Sequence, residues 1–304
     1  MGRQADVNAR IPLPVRDGVA PSYMWLDDAA AGAALPYLVA RFPDVGEAVW
    51  RDRMARREVL DGSGAVLAPD SELQRGTRIW YYREIPDEPR IPFQEQILYQ
   101  DAHLLVADKP HFLPTTPGGR FLHESLLVRL KNQLGIAELT PIHRLDRETA
   151  GIVLFSLRAD SRGAYQSLFQ ERRVEKVYEA LAAPLPQLAF PLTHRSRMVE
   201  GTPFFRMEEA PGESNSETRI EVIGSQGAHT LYRLHPLTGR KHQLRVHMMS
   251  IGAPILNDRF YPDAQPEGAD DFDHPLKLLA RAIAFDDPVT GEKRRFASAR
   301  RLDV

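Results

Sequence analysis

The sequence predicts a mixed α/β (α+β) protein built from two domains. Its length of 304 residues exceeds the usual size of a single domain, about 100 to 200 residues. A helical pattern of apolar residues near the N-terminus gives way to short strand-like segments, and a proline-rich stretch separates these from a second series of apolar runs. We therefore expect a small N-terminal domain and a larger domain that contains both strands and helices.

The first pattern lies between Leu35 and Arg57, where apolar residues recur at three- and four-residue steps and predict two helices divided at Pro43. Short strands are predicted within 59–67 and 76–82, where turn residues interrupt apolar runs. Helices followed by small strands, with arginines on the second helix, resemble the alpha-L RNA-binding module first seen in a small-subunit ribosomal protein. The alternative is an accessory domain whose arginines are merely solvated. The arginines are Arg51, Arg53, Arg56 and Arg57.

The domain boundary is predicted within Ile85–Pro92, since three prolines in eight residues disfavour both helix and central strand. We assign 1–88 to an N-terminal arm and a small RNA-binding-like domain, and 93–304 to the larger domain. Residues 1–20 are polar, contain prolines and are expected to form a loose arm.

Within the larger domain, Leu104–Ala107 and Gly151–Phe155 are short apolar runs typical of buried strands. The segment 262–273 is acidic, contains glycine and proline, and is expected to be an exposed loop. Helices are expected at 122–135, 160–171 and 241–251.

The composition excludes several classes of protein. Cysteine is absent, which removes disulfides, thiolate nucleophiles and cysteine-based zinc sites and makes a cytoplasmic location the simplest interpretation. No apolar run approaches the roughly 20 residues that span a bilayer, so no membrane association is expected. The net charge of -2 gives no overall preference for nucleic acid. Of the 39 basic residues, 33 are arginine, which suits phosphate contacts, although a genomic composition bias explains the excess equally well.

A candidate reacting group lies in Pro141–Phe155 (PIHRLDRETAGIVLF), where a charged stretch runs into a buried strand. If the stretch is extended, Arg144 and Asp146 point to one side, and Leu145 anchors the other side. Asp146, between Arg144 and Arg147, is expected to remain a carboxylate that can act as a nucleophile or base. Taken alone, however, this segment fits a structural salt bridge better than an active site.

A second constellation lies in Leu234–His247 (LHPLTGRKHQLRVH), which is typical of a strand, a turn and a helix. Lys241 and Arg245 are predicted to share a helix face. Because cations are unfavourable at the start of a helix, we expect an anion nearby, either Asp146 or RNA phosphate. His242 and His247 suggest a zinc site, but the H-E-x-x-H spacing is missing and no metal is expected.

A third candidate lies in Arg172–Ala180 (RRVEKVYEA), where Lys176 and Tyr178 share one face if the segment is a strand. An ammonium group beside an aromatic ring can hold a phosphate and stack on a nucleobase. Most strand tyrosines only pack, so this pattern alone favours a structural role.

In their order and spacing, these segments resemble the RluA/RluD-type pseudouridine synthases over about residues 93–304. Asp101–Pro110 (DAHLLVADKP) is similar to the opening strand and Lys-Pro motif of that family, and His143–Gly151 (HRLDRETAG) to its catalytic HRLDxxTSG segment. Lys176 and Tyr178 match its Lys-x-Tyr strand, and Thr238–His247 (TGRKHQLRVH) matches its TGRxHQxRxH motif.

The resemblance implies a domain around a mixed, largely antiparallel sheet with an RNA-binding cleft. It implies isomerisation of uridine to pseudouridine in structured rRNA or tRNA, such as a large-subunit rRNA or tRNA stem-loop, with no cofactor or metal. A monomer is expected.

The resemblance also assigns residues. Asp146 is the catalytic carboxylate, Arg245 pairs with it, and Tyr178 stacks on the target base. Arg144 assists base extrusion, and Leu278 closes the pocket. The remaining expected RNA contacts are Lys109, Lys176, Arg240, Lys241 and His242.

Two positions depart from the family pattern. Ala150 replaces the usual serine of HRLDxxTSG, and Leu279 stands where histidine is common. These departures put local packing and substrate preference in doubt. Two alternatives stay open, an RNA-binding or assembly factor and a metal-dependent hydrolase that uses His242 and His247.

Overall fold

The computed structural model describes residues 12–27, 32–265 and 268–303. Contacts divide the chain into two units, Met1–Glu88 and Pro89–Val304. Most of the predicted N-terminal arm, residues 1–11, lies outside the described residues. Within those ranges, no helix is long and apolar enough to cross a membrane.

The first unit is a three-stranded antiparallel sheet covered by two helices, and the third strand is central. Trp50 is fully buried in its core and packs against Phe42 and Tyr81. The first helix ends two residues before Pro43, as the apolar spacing predicts. The elements are β1 (Ser22–Trp25), α1 (Ala34–Arg41), α2 (Glu47–Ala55), β2 (Val59–Asp61) and β3 (Arg78–Tyr81).

Two expectations for this unit are corrected. The described end of the arm is packed, since Leu13 is buried and the Tyr82 hydroxyl donates to the Pro14 carbonyl at 2.7 Å. The arginine-rich helix α2 does not present a uniformly basic face. Arg53 is buried beside the Trp50 ring, and nearby acids pair with its neighbours. The pairs are Arg51 with Glu47 at 2.7 Å, and Arg56 with Glu84 at 2.7 Å and with Glu58 at 3.0 Å.

The second unit is built on one large sheet of eleven strands. Three helices pack on it close to their predicted positions. The strands are β4 (Gln96–Gln100), β5 (Leu104–Lys109), β6 (Thr140–Pro141), β7 (Ala150–Ser156), β8 (Glu175–Ala182), β9 (Leu192–Glu200), β10 (Met207–Ala210), β11 (Ser216–Gln226), β12 (His229–Pro236), β13 (Leu278–Asp286) and β14 (Lys293–Ala297). The helices are α3 (Leu126–Leu134), α4 (Ala159–Gln170) and α5 (Gln243–Ser250).

The strand order is β10-β9-β11-β12-β8-β13-β7-β5-β4, with β14 paired to β13 and β6 to β7. Among the described strands, β7 and β13 are the one parallel pair, and all other neighbours are antiparallel. This confirms the mixed, largely antiparallel sheet that the family resemblance implies. The parallel pair brings the end of the His143–Gly151 segment beside the start of β13.

Gly151 makes this pairing possible. Its φ is +115°, and a Cβ built on it lies 2.2 Å from the Ala280 carbonyl oxygen. No other residue fits so close an approach of two backbones. The glycine of the motif is therefore required by the fold.

Candidate active site

The segment before β7, strand β8, the turn before α5 and the start of β13 enclose a cavity of about 770 Å³. This volume is in the range of small-molecule and cofactor sites. Among the described residues that line the cavity, Asp146 is the one carboxylate, whereas six side chains are cationic. The net charge of -2 therefore conceals a locally positive cleft. The cations are Arg144, Arg172, Lys176, Arg240, Lys241 and Arg245.

Leu145 fixes the backbone on which Asp146 is carried. Its side chain is buried in the core, while Arg144 on one side of it is exposed and Asp146 on the other is partly exposed. The buried Thr115 hydroxyl accepts the Leu145 N–H at 3.2 Å and donates to the Leu145 carbonyl at 2.9 Å. The expectation that Leu145 anchors the segment is thus confirmed, and Thr115 is a positioning residue that the sequence pattern did not reveal.

Lys109, an expected RNA contact, is instead enclosed by the protein and directed at backbone carbonyls. It is fully buried, and its Nζ donates to the carbonyls of Pro110, Leu113 and Arg147 at 3.0, 2.7 and 3.1 Å. Burial lowers the pKa of Lys109 to about 7, with the charges of Glu148 and Asp146 opposing this shift. The three acceptors match the three protons of an ammonium group. Lys109 therefore holds the Asp146 loop.

His111 supports the same loop from the next turn. Its Nδ1 lies 2.6 Å from the Glu148 carbonyl oxygen, and burial lowers the pKa of His111 to about 4, so the ring is neutral and donates. Together Lys109, His111 and Thr115 hold the backbone on both sides of Asp146. The Lys-Pro motif of the sequence is thus a support for the loop.

Arg245 is the most buried of the cations that line the described cavity, with only 1% of its surface exposed. Its Nε and Nη2 donate to Asp258 at 2.8 and 2.6 Å. Its Nη1 lies 3.6 Å from both Asp146 and Glu148 and has no hydrogen-bond partner among the described residues. Burial tends to lower the pKa of Arg245, but the hydrogen bonds and charge of Asp258 outweigh it and raise the pKa. A permanently charged donor thus faces the carboxylate.

His242 has a different position from the one expected. Helix α5 begins at Gln243 and His242 has a left-handed backbone (φ 55°), so Lys241 points outwards and does not share a helix face with Arg245. The buried His242 ring contacts the Tyr261 hydroxyl at 2.9 Å, and its Nε2 is 3.9 Å from Asp146. Burial lowers the pKa of His242 to about 3, so it is a neutral wall beside the carboxylate.

Lys176 and Tyr178 both line the cavity from strand β8, as their spacing predicts. The Lys176 ammonium donates to the Thr238 carbonyl at 3.0 Å, and burial lowers its pKa to about 8. Burial, and next the charge of Asp146, raise the pKa of Tyr178, which keeps its phenol neutral. Leu278 is buried and lines the wall of the same cavity.

The side chain of Arg147 pairs with carboxylates other than Asp146, which differs from the expectation drawn from the sequence. Its Nη1 donates to Asp270 at 2.9 Å, and its Nε donates to Glu148 at 3.1 Å. Asp270 belongs to the stretch predicted to be an exposed acidic loop, yet only 5% of its side chain is exposed. The acidic segment thus neutralises an arginine next to the site, while Asp146 faces Arg245.

Gln243 joins the TGRxHQxRxH segment to the sheet. It accepts from the Thr238 hydroxyl at 2.7 Å, and its amide contacts Thr218 at 2.9 Å. His247 continues this network, with one ring nitrogen 2.9 Å from Thr218 and the other 2.9 Å from Ser216. Much of the motif is therefore structural.

A metal pair of His242 and His247 is not formed, because the two rings contact different partners. Within the described ranges, His194, Glu209 and His247 have donor atoms within 4.8 Å of one another. Both His247 nitrogens already contact hydroxyl groups. Hydrogen bonds therefore account for this group of side chains.

Comparison with known proteins gives a consistent family assignment. A family described as RNA pseudouridylate synthase matches residues 103–250. The dual-specificity RNA pseudouridine synthase RluA of Haemophilus influenzae is 34% identical over 204 residues, which cover 66% of this chain and 90% of that protein. RluA of Escherichia coli is 34% identical over 215 residues, which cover 69% and 94%.

Solved structures share the fold. Human RNA Pseudouridylate Synthase Domain Containing 4 has a TM-score of 0.53 and 26% identity, over 66% of this chain and 87% of that chain. Human RNA Pseudouridylate Synthase Domain Containing 1 has a TM-score of 0.57 and 23% identity, over 70% and 86%.

Proposed function

The chain belongs to the RluA-type RNA pseudouridine synthases, and from this premise we propose that Asp146 is the carboxylate with which it converts a uridine of structured rRNA or tRNA to pseudouridine. One observation carries the proposal. Asp146 is the sole carboxylate among the described residues of a cationic cavity, and the Nη1 of Arg245 lies 3.6 Å away. The family reaction breaks the bond between N1 of uracil and the sugar, turns the base and forms a bond to carbon 5.

Arg245 is the proposed partner that orients Asp146. Its other two nitrogens are fixed on Asp258, so Nη1 can move little while the carboxylate reacts. A gap of 3.6 Å is longer than a hydrogen bond, and catalytic contacts commonly tighten when substrate binds. The pair holds one orientation of the carboxylate, whether it attacks the sugar or the base or acts as a general base.

Tyr178 and Leu278 are the proposed walls for the target uracil. Both line the cavity, and the neutral phenol of Tyr178 offers a flat ring for stacking. Lys176, on the same strand, would hold an adjacent phosphate. His242 is neutral and buried, and we propose that it excludes water beside Asp146. This role differs from the RNA contact expected of His242.

The exposed cations at the rim are proposed to bind the RNA backbone. Arg144, Arg240 and Lys241 are all exposed and line the cavity. A base inside a helix must be extruded before it reaches Asp146, at a cost of a few kcal/mol. Phosphate contacts would offset part of that cost, and the exposed Arg144 would fill the space that the base leaves in the RNA.

RNA binding by residues 1–88 stays a prediction, because acids pair with several of the arginines that suggested it. We also propose a monomer, because a single chain supplies Asp146, its partner Arg245 and the proposed walls Tyr178 and Leu278. The absence of cysteine and an RNA substrate favour the cytoplasm as the location.

The test uses tRNA and large-subunit rRNA transcripts tritiated at carbon 5 of uracil. Formation of pseudouridine replaces the hydrogen at carbon 5 by the sugar, so tritium release measures turnover. We expect release from at least one transcript, and mapping of pseudouridine in cellular RNA with and without the gene then identifies the uridine. No release from any transcript with folded protein would overturn the proposal.

A further inference from the structure

The loop between β9 and β10, residues 201–206, presents an aromatic ring to solvent. Phe204 is 86% exposed, more than any other large hydrophobic residue in the described part of the chain, and Tyr23 follows at 52%. Stacking of this ring on a ligand would remove apolar surface from water, which is favourable.

The loop is firmly held, although its tip is exposed. Arg206 donates to the Pro262 carbonyl at 2.5 Å and lies 4.9 Å from the centre of the Tyr261 ring. The Tyr261 hydroxyl accepts the Met207 N–H at 2.8 Å and contacts His242 at 2.9 Å. The base of the loop is thus connected through Tyr261 to His242, which lies beside Asp146 in the cavity.

A second connection runs through aromatic rings. Phe204 contacts Phe205 with ring centres 5.7 Å apart, and Phe205 contacts Phe260 at 5.1 Å. The Phe260 ring lies 4.7 Å from the Arg245 guanidinium and 5.7 Å from the His242 ring. A series of ring contacts therefore connects Phe204 to Arg245 and His242, which line the cavity.

We propose that Phe204 stacks on an unpaired base next to the target uridine and so helps to hold the RNA open. The inference rests on the proposed function, because it needs RNA in the cationic cavity. A single phenyl ring is too small for a protein interface but matches one face of a nucleobase. Arg240 and Lys241, which directly precede His242 in the sequence, are exposed, line the cavity and suit the phosphates of RNA bound there.

Four variants test the contact, and each is compared with the wild type for RNA affinity by fluorescence anisotropy. Phe204→Ala removes the ring, Phe204→Leu keeps apolar volume without a ring, and Phe204→Trp keeps a stacking surface. Val289→Ala is the control, since Val289 is 43% exposed in a different turn. The probes are the shortest stem-loop transcript that releases tritium with the wild type, and an oligouridylate of about ten nucleotides.

We expect Phe204→Ala and Phe204→Leu to weaken stem-loop binding at least about fivefold, as loss of one stacked base predicts, with Phe204→Trp and Val289→Ala unchanged. An abasic residue is then placed in turn at each position flanking the target. At the stacked position, the abasic residue should weaken RNA binding by the wild type by the same factor as Phe204→Ala does. It should not weaken binding by Phe204→Ala any further.

Two results would overturn this inference and leave the proposed function intact. In the first, Phe204→Ala binds the stem-loop within about twofold of the wild type. In the second, the affinity losses from the abasic residue and from Phe204→Ala multiply at every flanking position. If no transcript releases tritium, the proposed function fails, and the oligouridylate decides whether Phe204 stacks on RNA. Equal affinity of the wild type and Phe204→Ala for that probe would then reject the contact.

Discussion

Arg245 turns its Nε and Nη2 to Asp258 at 2.8 and 2.6 Å and leaves its Nη1 3.6 Å from Asp146. The two carboxylates therefore have different relations to one guanidinium. Asp258 is fully buried and hydrogen-bonded, whereas 29% of the Asp146 side chain is exposed to the cavity. Asp258 fixes the cation, and Asp146 is left available to the substrate.

Asp258→Asn should lower kcat strongly while RNA affinity changes little. The change keeps the size of the side chain but removes the charge that fixes Arg245, and a misplacement of about 1 Å can reduce a rate about 100-fold. An uncompensated buried arginine should also destabilise the fold by about 3 kcal/mol. Single-turnover tritium release and anisotropy at a temperature where both proteins are folded separate these effects. The exposed Asp263→Asn is the control, and an unaltered kcat in Asp258→Asn would contradict the positioning role.

Thr115→Val should reduce both kcat and stability. Valine has nearly the same shape, but it leaves the buried N–H and carbonyl of Leu145 without their hydroxyl partner, at a cost of about 1–3 kcal/mol. Since Asp146 follows Leu145 directly, the rate should fall at least about tenfold. Denaturant unfolding and tritium release measure the two effects, and Thr116→Val serves for comparison. Wild-type turnover in Thr115→Val would show that the loop needs no such support.

Gly151→Ala should unfold or severely destabilise the larger unit, by at least about 3 kcal/mol, because its Cβ meets the Ala280 carbonyl oxygen at 2.2 Å. The matched control is Gly163→Ala within helix α4, where a Cβ meets nothing within 4 Å. Alanine should stabilise that helix by roughly 0.5–1 kcal/mol. Thermal unfolding of both variants measures the contrast, and similar melting temperatures would refute the close approach of β7 and β13.

Stability should fall as the pH drops below about 6.5 towards 3. Burial lowers the pKa of His143 to about 3 and of His247 to about 4 from a model-peptide value of 6.5, so the unfolded chain takes up these protons first. The contribution of each such histidine to the free energy of unfolding is therefore fully present above the pKa of the unfolded chain. Between that pKa and the pKa of the folded protein, it decreases by about 1.4 kcal/mol per pH unit as the pH falls. The Leu154 N–H donates to His143 Nε2 at 3.1 Å, a bond that protonation would break.

The measurement is the free energy of unfolding in denaturant between pH 4 and 7. His143→Gln should flatten the slope by about one proton. His274→Gln should not, since 69% of the His274 side chain is exposed. A slope that is the same in His143→Gln and the wild type would show that His143 is not held neutral.

The parts of the fold that depend on local pattern were predictable from the sequence. Apolar spacing located the helices to within a few residues, and the Lys176-x-Tyr178 alternation placed both side chains on one wall. The motif order indicated the cavity because three of the four motifs line it, and the remaining motif supplies Lys109, which holds the Asp146 loop. Long-range partners were not predictable in this way. Nothing near Asp258 in the sequence indicates that its carboxylate would fix Arg245.

Lys109 and His242 show why residue type alone misleads. Both look like surface cations for RNA, yet Lys109 is enclosed by three carbonyls and His242 is turned inwards by its left-handed backbone. Whether a side chain is buried depends on strands that are distant in the sequence. These strands determine whether a lysine or histidine can contact RNA phosphate or is enclosed by backbone groups.

The two departures from the family pattern are explained by their common location. Ala150 and Leu279 are aligned partners of the parallel pair, and both are buried in one cluster with Leu181 and Leu302. At these two positions, alanine and leucine form an apolar contact. The departures therefore concern packing, and the described lining of the cavity includes neither residue.

The central claim is that Asp146 performs the chemistry, and Asp146→Asn tests it most directly. The asparagine keeps the shape of the side chain but cannot act as a nucleophile or base. With a transcript that the wild type modifies, tritium release should fall to background while the Kd for that RNA stays within about threefold, because Asp146 is not a phosphate contact. Substantial release of tritium by Asp146→Asn would contradict the account.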